Sequence, residues 1–187
     1  MKKFLSLFIV FVLLFSVTGC GNNTDKNIAD KGDATIVELG TPLKYLCDFV
    51  STGNEELLKH IYPENIITVF DAKDTIYETA DNHKELGMKC SAIVTDKEHL
   101  PKEKLDEINN YIKQRYIDKN VMEEYIPATD AYLITASVSA ILTIQGQIAS
   151  DNGGLDMKKT VIKVGDKWYL GPNYLENGTL EYYIGDF

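Results

Sequence analysis

Cysteine carries the widest chemical range in this chain, and there are three: Cys20, Cys47 and Cys90. Cys47 and Cys90 each fall on an apolar face of the segment that holds them. Outside a reducing compartment such a pair can oxidise. Closing a loop of about 43 residues would stabilise a fold by roughly 3–4 kcal/mol. The same placement suits two buried free thiols, so both readings stay open. A metal site is disfavoured, because two cysteines this far apart with no nearby histidine lack ligand spacing.

The other reactive groups form no recognisable constellation. His60, His83 and His99 are scattered among polar neighbours and read as surface residues; HExxH spacing is missing. There is no Gly-x-Ser-x-Gly elbow, no phosphate-cradling glycine loop and no Cys-x-x-Cys pair. No cofactor is expected. Asp151-Asn152-Gly153-Gly154-Leu155-Asp156 is acidic but lacks the alternating ligands of a calcium loop. We read Ser150–Gly154 as a hairpin turn, since its residues favour positive φ. The chain has eleven tyrosines. Tyr174, Tyr182 and Tyr183 with Trp168 could build an aromatic platform; the competing reading puts Trp168 in the core and the tail tyrosines over a sheet edge.

The elements that must position these groups follow from periodicity. Thr41-Pro42 reads as a helix start, with Thr35–Leu39 as a candidate upstream extension. Leu43, Leu46, Cys47 and Val50 then share one face as far as Gly53. Asn54 caps a short helix over 55–61, ended by Pro63. Residues 64–86 read as mostly helix. Met88, Cys90, Ala92 and Val94 alternate as a strand. Pro101 opens a helix with Leu105, Ile108, Tyr111, Ile112 and Tyr116 inward, followed by an irregular link over 121–128. Tyr132, Ile134, Ala136, Val138, Ala140, Leu142 and Ile144 form one face of a long strand. A return strand over 155–164, a Gly165-Asp166 turn and a strand from Lys167 to Leu170 complete the pattern; the tail 173–187 carries no clear signal.

The first twenty residues are of a different kind. Lys2 and Lys3 precede an apolar run from Phe4 to Val17, broken only by Ser6 and Ser16. A basic start, an apolar core of this length and small residues before a cut describe a secretory signal. The run is short for a bilayer span, which needs about 20 apolar residues. Val17-Thr18-Gly19-Cys20 resembles the lipobox of bacterial lipoproteins. That resemblance implies a signal peptide over 1–19 and a diacylglyceryl lipid on Cys20, the first mature residue. It also implies localisation at the extracytoplasmic face of the cell membrane. Residues 20–33 are polar and read as a flexible tether. Residues 34–187 are the length of one domain. Without Lys2 and Lys3 the mature chain has 17 basic and 28 acidic residues, a formal charge of −11. Nucleic acid and anionic lipid surfaces, which need basic patches, are therefore unsuitable partners.

Helices first and an antiparallel sheet from the C-terminal half make an α+β class, with N-terminal helices on a curved sheet of about four strands. The helix pair, the long strand and the ending Val161-Ile162-Lys163-Val164-Gly165-Asp166-Lys167-Trp168-Tyr169-Leu170 resemble the nuclear-transport-factor-two-like, or cystatin-like, cone. One departure is the helix at Pro101–Tyr116, inserted between the first strand and the long one. The resemblance implies a cavity between helices and sheet, and a homodimer through the open sheet face is one further expectation. Cone enzymes use an aspartate base and hydroxyl donors, for which Asp71, Asp74, Tyr77 and Tyr132 would be the nearest residues. None sits at a matching spacing, and turn or cap carboxylates explain Asp71 and Asp74. Tyr77, Tyr132, Trp168 and Tyr174 are the ligand-binding candidates. The function expected is a lipid-anchored, non-enzymatic domain binding a small molecule, peptide, wall component or protein. The alternatives are a cavity lyase or isomerase, and a pocketless envelope-assembly or inhibitor-type partner protein.

Overall fold

The computed structural model describes residues 33–64, 66–72, 76, 87–121, 124–144 and 147–182, without the side chain of residue 152. Residues 1–32, among them Cys20, and Asp74, Tyr77, His83 and Tyr183 lie outside the described residues.

Helix α1 runs Ile36–Thr52. It begins at Thr35 rather than at Thr41, because Thr35 and Glu38 form a reciprocal capping box: the Thr35 hydroxyl accepts from the Glu38 amide at 3.2 Å while Glu38 accepts from the Thr35 amide at 2.8 Å. Pro42 therefore lies inside the helix, where it forfeits one backbone bond. The buried Leu39, Leu43, Leu46, Phe49 and Val50 on the same face offset that loss. Gly53, at φ 63°, ends the helix. Asn54 then caps a 3-10 turn, Glu55–Leu57, which leads into α2, Leu58–Ile61. A further short helix, α3, covers Ile66–Val69.

Strand β1 (Lys89–His99), helix α4 (Lys102–Asp118), strand β2 (Asp130–Ile144), strand β3 (Gln147–Val164) and strand β4 (Lys167–Leu170) follow. The four strands form one antiparallel sheet in the order β1-β2-β3-β4. A two-stranded ribbon of β5 (Asn173–Tyr174) and β6 (Leu180–Glu181) organises the tail. The protein is α+β, with helices on a four-stranded antiparallel sheet.

Residues 150–154 are not a hairpin turn. Ile144 pairs with Gln147, so β2 reverses there, and β3 runs straight through Asp151 and Gly153. Val138 pairs with Leu155 and Ala140 with Asn152, which leaves one extra residue on β3 opposite Ser139. Gly154 takes φ 61° at this bulge and its amide donates to the Ser139 hydroxyl at 3.1 Å. A second extra residue lies between Ser150 and Ile148. Bulges bend strands and strengthen twist, which accommodates a strand of this length.

The core lies between α1 and the sheet. Leu39, Phe49, Ile61, Val69, Ile108, Ile134, Ala136, Val161 and Ile162 are completely buried. Register puts Tyr132, Val161 and Leu170 on one sheet face, together with Ile134 and Ala136. Ile162 and Thr160 lie on the other face and are equally buried, so this end of the sheet is covered on both sides.

Candidate functional site

Two surface regions gather polar side chains, and a third pair of groups lies at the helix–sheet contact. The first region sits where the domain begins. Asp33, just before α1, accepts from the Lys97 ammonium of β1 at 2.5 Å and from the Tyr132 hydroxyl of β2. Lys97 also donates to the Ala34 carbonyl, and the Ala34 amide donates to the Tyr132 hydroxyl at 3.4 Å. Next to them His99 Nε2 meets Asp130 Oδ1 at 2.7 Å, and the His99 ring lies 4.7 Å from that of Tyr132. Trp168 packs edge-on against Tyr132, with ring centroids 5.5 Å apart, and Lys163 lies over the indole at 5.7 Å. Pairing explains the assembly: His99 is opposite Tyr132, Asp130 opposite Lys163, and Lys163 opposite Trp168, all on one face.

Electrostatics follow from these contacts. The Lys97 ammonium, then the Tyr132 hydroxyl, hold the Asp33 carboxyl below its ordinary range. Burial, then the hydrogen bond to Asp33, push Tyr132 up to about 12. Tyr132 is 3% exposed and its hydroxyl is already committed to Asp33. This arrangement fastens the first residues of the domain to β1 and β2. It presents neither a free base nor a free nucleophile.

The second region is a groove of about 610 Å³ between the segment 58–68 and β4. Leu58, Lys59, His60, Glu64 and Ile67 line one side and Lys167 and Tyr169 the other. His60 stacks on Tyr45 of α1 with centroids 4.7 Å apart. Burial, then the Glu64 charge, raise the Tyr169 pKa. A half-buried aromatic surface with a rim of both charges suits a ligand with an apolar body and polar ends.

Of the ligand candidates, Tyr132 and Trp168 come together and Tyr77 lies outside the described residues. Tyr174 instead leans on α4, donating toward Glu107 Oε2 at 2.9 Å and the Lys104 carbonyl at 3.2 Å. Trp168 is half-buried rather than a core residue; Tyr182 is buried, its hydroxyl donating to the Leu170 carbonyl at the end of β4, and Tyr183 lies outside the described residues. Asp71 sits in a turn at φ 53° and pairs with Lys119. Among the described residues, no group of three or more His, Cys, Asp and Glu is placed to hold a metal ion. No described helix is long and apolar enough to cross a membrane.

Periodicity did not single out the groove. His60 reads as a surface residue, and Lys167 and Tyr169 only as part of a strand. Lys97 and Asp33 are 64 residues apart, beyond any local pattern.

Cys47 is buried on α1 and Cys90 half-buried on β1, and neither is in a disulfide here. The neighbouring Cys90 thiol and burial push the Cys47 thiol up. No protein family, no curated protein and no solved structure matches the chain.

Proposed function

We propose that the chain is a lipid-anchored, extracytoplasmic protein of the bacterial cell envelope, whose domain is a non-enzymatic binding module. The observation that carries the anchor is the register of Lys2-Lys3, the apolar run and Val17-Thr18-Gly19-Cys20. A single acyl chain binds membranes only marginally, and with a formal charge of −11 no polybasic patch would assist it. The two chains of a diacylglyceryl group are what such a protein needs.

Packing supports binding over turnover. Leu39, Leu43, Phe49, Ile134 and Val161 occupy the space between α1 and the sheet where a cone enzyme would hold substrate. A cavity base also needs a carboxyl held above its ordinary range. Among the described residues, the shifted carboxyls Asp33, Glu38, Glu56 and Glu107 all move down, each beside a hydrogen-bond donor. Partner contact then falls to the surface. The groove beside Tyr169 is our candidate for a short peptide or wall fragment, its charged ends meeting Lys59, Glu64 and Lys167.

Fractionation of bacteria making the full chain tests the anchor. Wild type should sediment with membranes and take up labelled palmitate, while Cys20→Ala should lose the label and leave the membrane fraction. A Cys20→Ala protein that stayed membrane-bound would overturn the reading.

A further inference from the structure

We infer that Cys47 and Cys90 are a disulfide-forming pair, a covalent staple between α1 and the edge strand β1. The geometry rests on one hydroxyl. Ser51 Oγ donates to the Cys47 carbonyl at 2.8 Å and accepts from the Cys90 amide at 2.9 Å. That single atom ties the backbone of the helix at Cys47 to the backbone of the strand at Cys90. Register sets the direction of the second side chain: Cys90 pairs with Ala140, on the sheet face that α1 covers. Cys47 is 3% exposed and Cys90 half-buried, and the two thiols act on one another's titration. Both residues lie on regular elements, so little ordering remains to be done when the bond forms.

The reaction is thiol–disulfide exchange with a small or protein disulfide as the oxidant. The more accessible Cys90 thiolate attacks one sulfur of that disulfide; a mixed disulfide forms and the first oxidant thiolate leaves. Cys47 then loses its proton and attacks the Cys90 sulfur, expelling the second oxidant thiolate. Two protein thiols give up two protons and two electrons, and the oxidant ends as two thiols. The neighbouring Cys90 thiol and burial push the Cys47 thiol up, so the more accessible Cys90 is the first to attack.

The staple has a structural consequence. The loop it closes, 47–90, contains α2, α3 and the whole helical wall of the groove at Leu58–Thr68. Oxidation would hold that wall against the sheet, and reduction would loosen it.

That the oxidant is met in the cell rests on the extracytoplasmic reading above, so two samples are needed. Full-length protein, extracted in detergent, is incubated with oxidised glutathione, alkylated with N-ethylmaleimide under denaturing conditions and digested. A Cys47–Cys90 cross-linked peptide, two hydrogens lighter than the reduced pair, is the expected product. The oxidised protein should melt roughly 5–10 °C above the reduced one. Ser51→Ala should slow cross-linking several-fold, whereas Cys47→Ser and Cys90→Ser should abolish it. Two fully alkylated thiols, or mixed disulfides with glutathione that never resolve, would overturn the staple. The second sample is alkylated at harvest: a linked pair supports the compartment, and reduced thiols that link readily in vitro contradict the compartment and leave the staple standing.

Discussion

The two ends of the long strand β2 share one alternating pattern and differ in what covers them. At the end that meets the start of the domain, Ala131, Tyr132, Ile134 and Ala136 are at most 3% exposed. At the far end Val138 and Leu142 are half-buried, Ile144 is 46% exposed and Ile148, across the ladder, is 69% exposed. Two of the three register shifts in the sheet fall in that far half. Alternation therefore dictates which face a residue takes, while the neighbouring elements decide how much that face is worth. The near end is the core and the tie to Asp33, where the described chain begins. The far end is a projecting ribbon whose geometry is set by its bulges.

The sharpest way to break this contrast is to remove the same kind of side chain from both halves. Ile134→Ala, at a fully buried position, should cost about 3–4 kcal/mol in urea unfolding, and Leu142→Ala about 1 kcal/mol. Equal losses would mean that the far ribbon is packed as tightly as the core. Two glycines give a smaller contrast. A Cβ at Gly171 would come within 2.8 Å of Ile162 Cγ2, itself fully buried, so Gly171→Ala should cost about 2 kcal/mol. Gly154→Ala meets only the Ser137 hydroxyl at 3.4 Å and its cost is the positive φ, about 1 kcal/mol. A thermal melt of each variant distinguishes them.

The smallest effect is electrostatic and belongs to the near end. Asp33 has its folded pKa held below the ordinary 3.8 by Lys97 and Tyr132. Its contribution is therefore present above that value and lost as pH falls through the lowered folded pKa. In melts from pH 6 to pH 2, Asp33→Asn should lose less stability on acidification than wild type. Parallel curves would show that the contact at the start of the domain adds nothing.

Much of this fold was legible in the residues themselves. Alternation from Met88 to Val94 and from Tyr132 to Ile144 located two strands, and a helical stripe from Leu105 to Tyr116 located α4. The errors have a common physical origin. Asp-Asn-Gly-Gly meets the backbone demands of a turn and of a bulge alike, and only the length of the partner strand decides between them. Thr41-Pro42 resembled a first turn, yet the Thr35–Glu38 capping box lay upstream and prevailed once a buried face could offset the missing bond at Pro42. The sites were less legible. The link from Asp33 to Lys97 and Tyr132 spans about half of the chain, and the groove joins residues about a hundred positions apart. The apolar faces of Cys47 and Cys90 suited a bridge and two buried thiols alike, and the structure links their backbones through the Ser51 hydroxyl.

The proposed lipid at Cys20 is tested by the mass of the N-terminal peptide of the protein purified from bacterial membranes. The expected peptide begins at Cys20 and carries a diacylglyceryl group, with residues 1–19 gone. A peptide still bearing Lys2 and Lys3, or one with an unmodified Cys20, would contradict it.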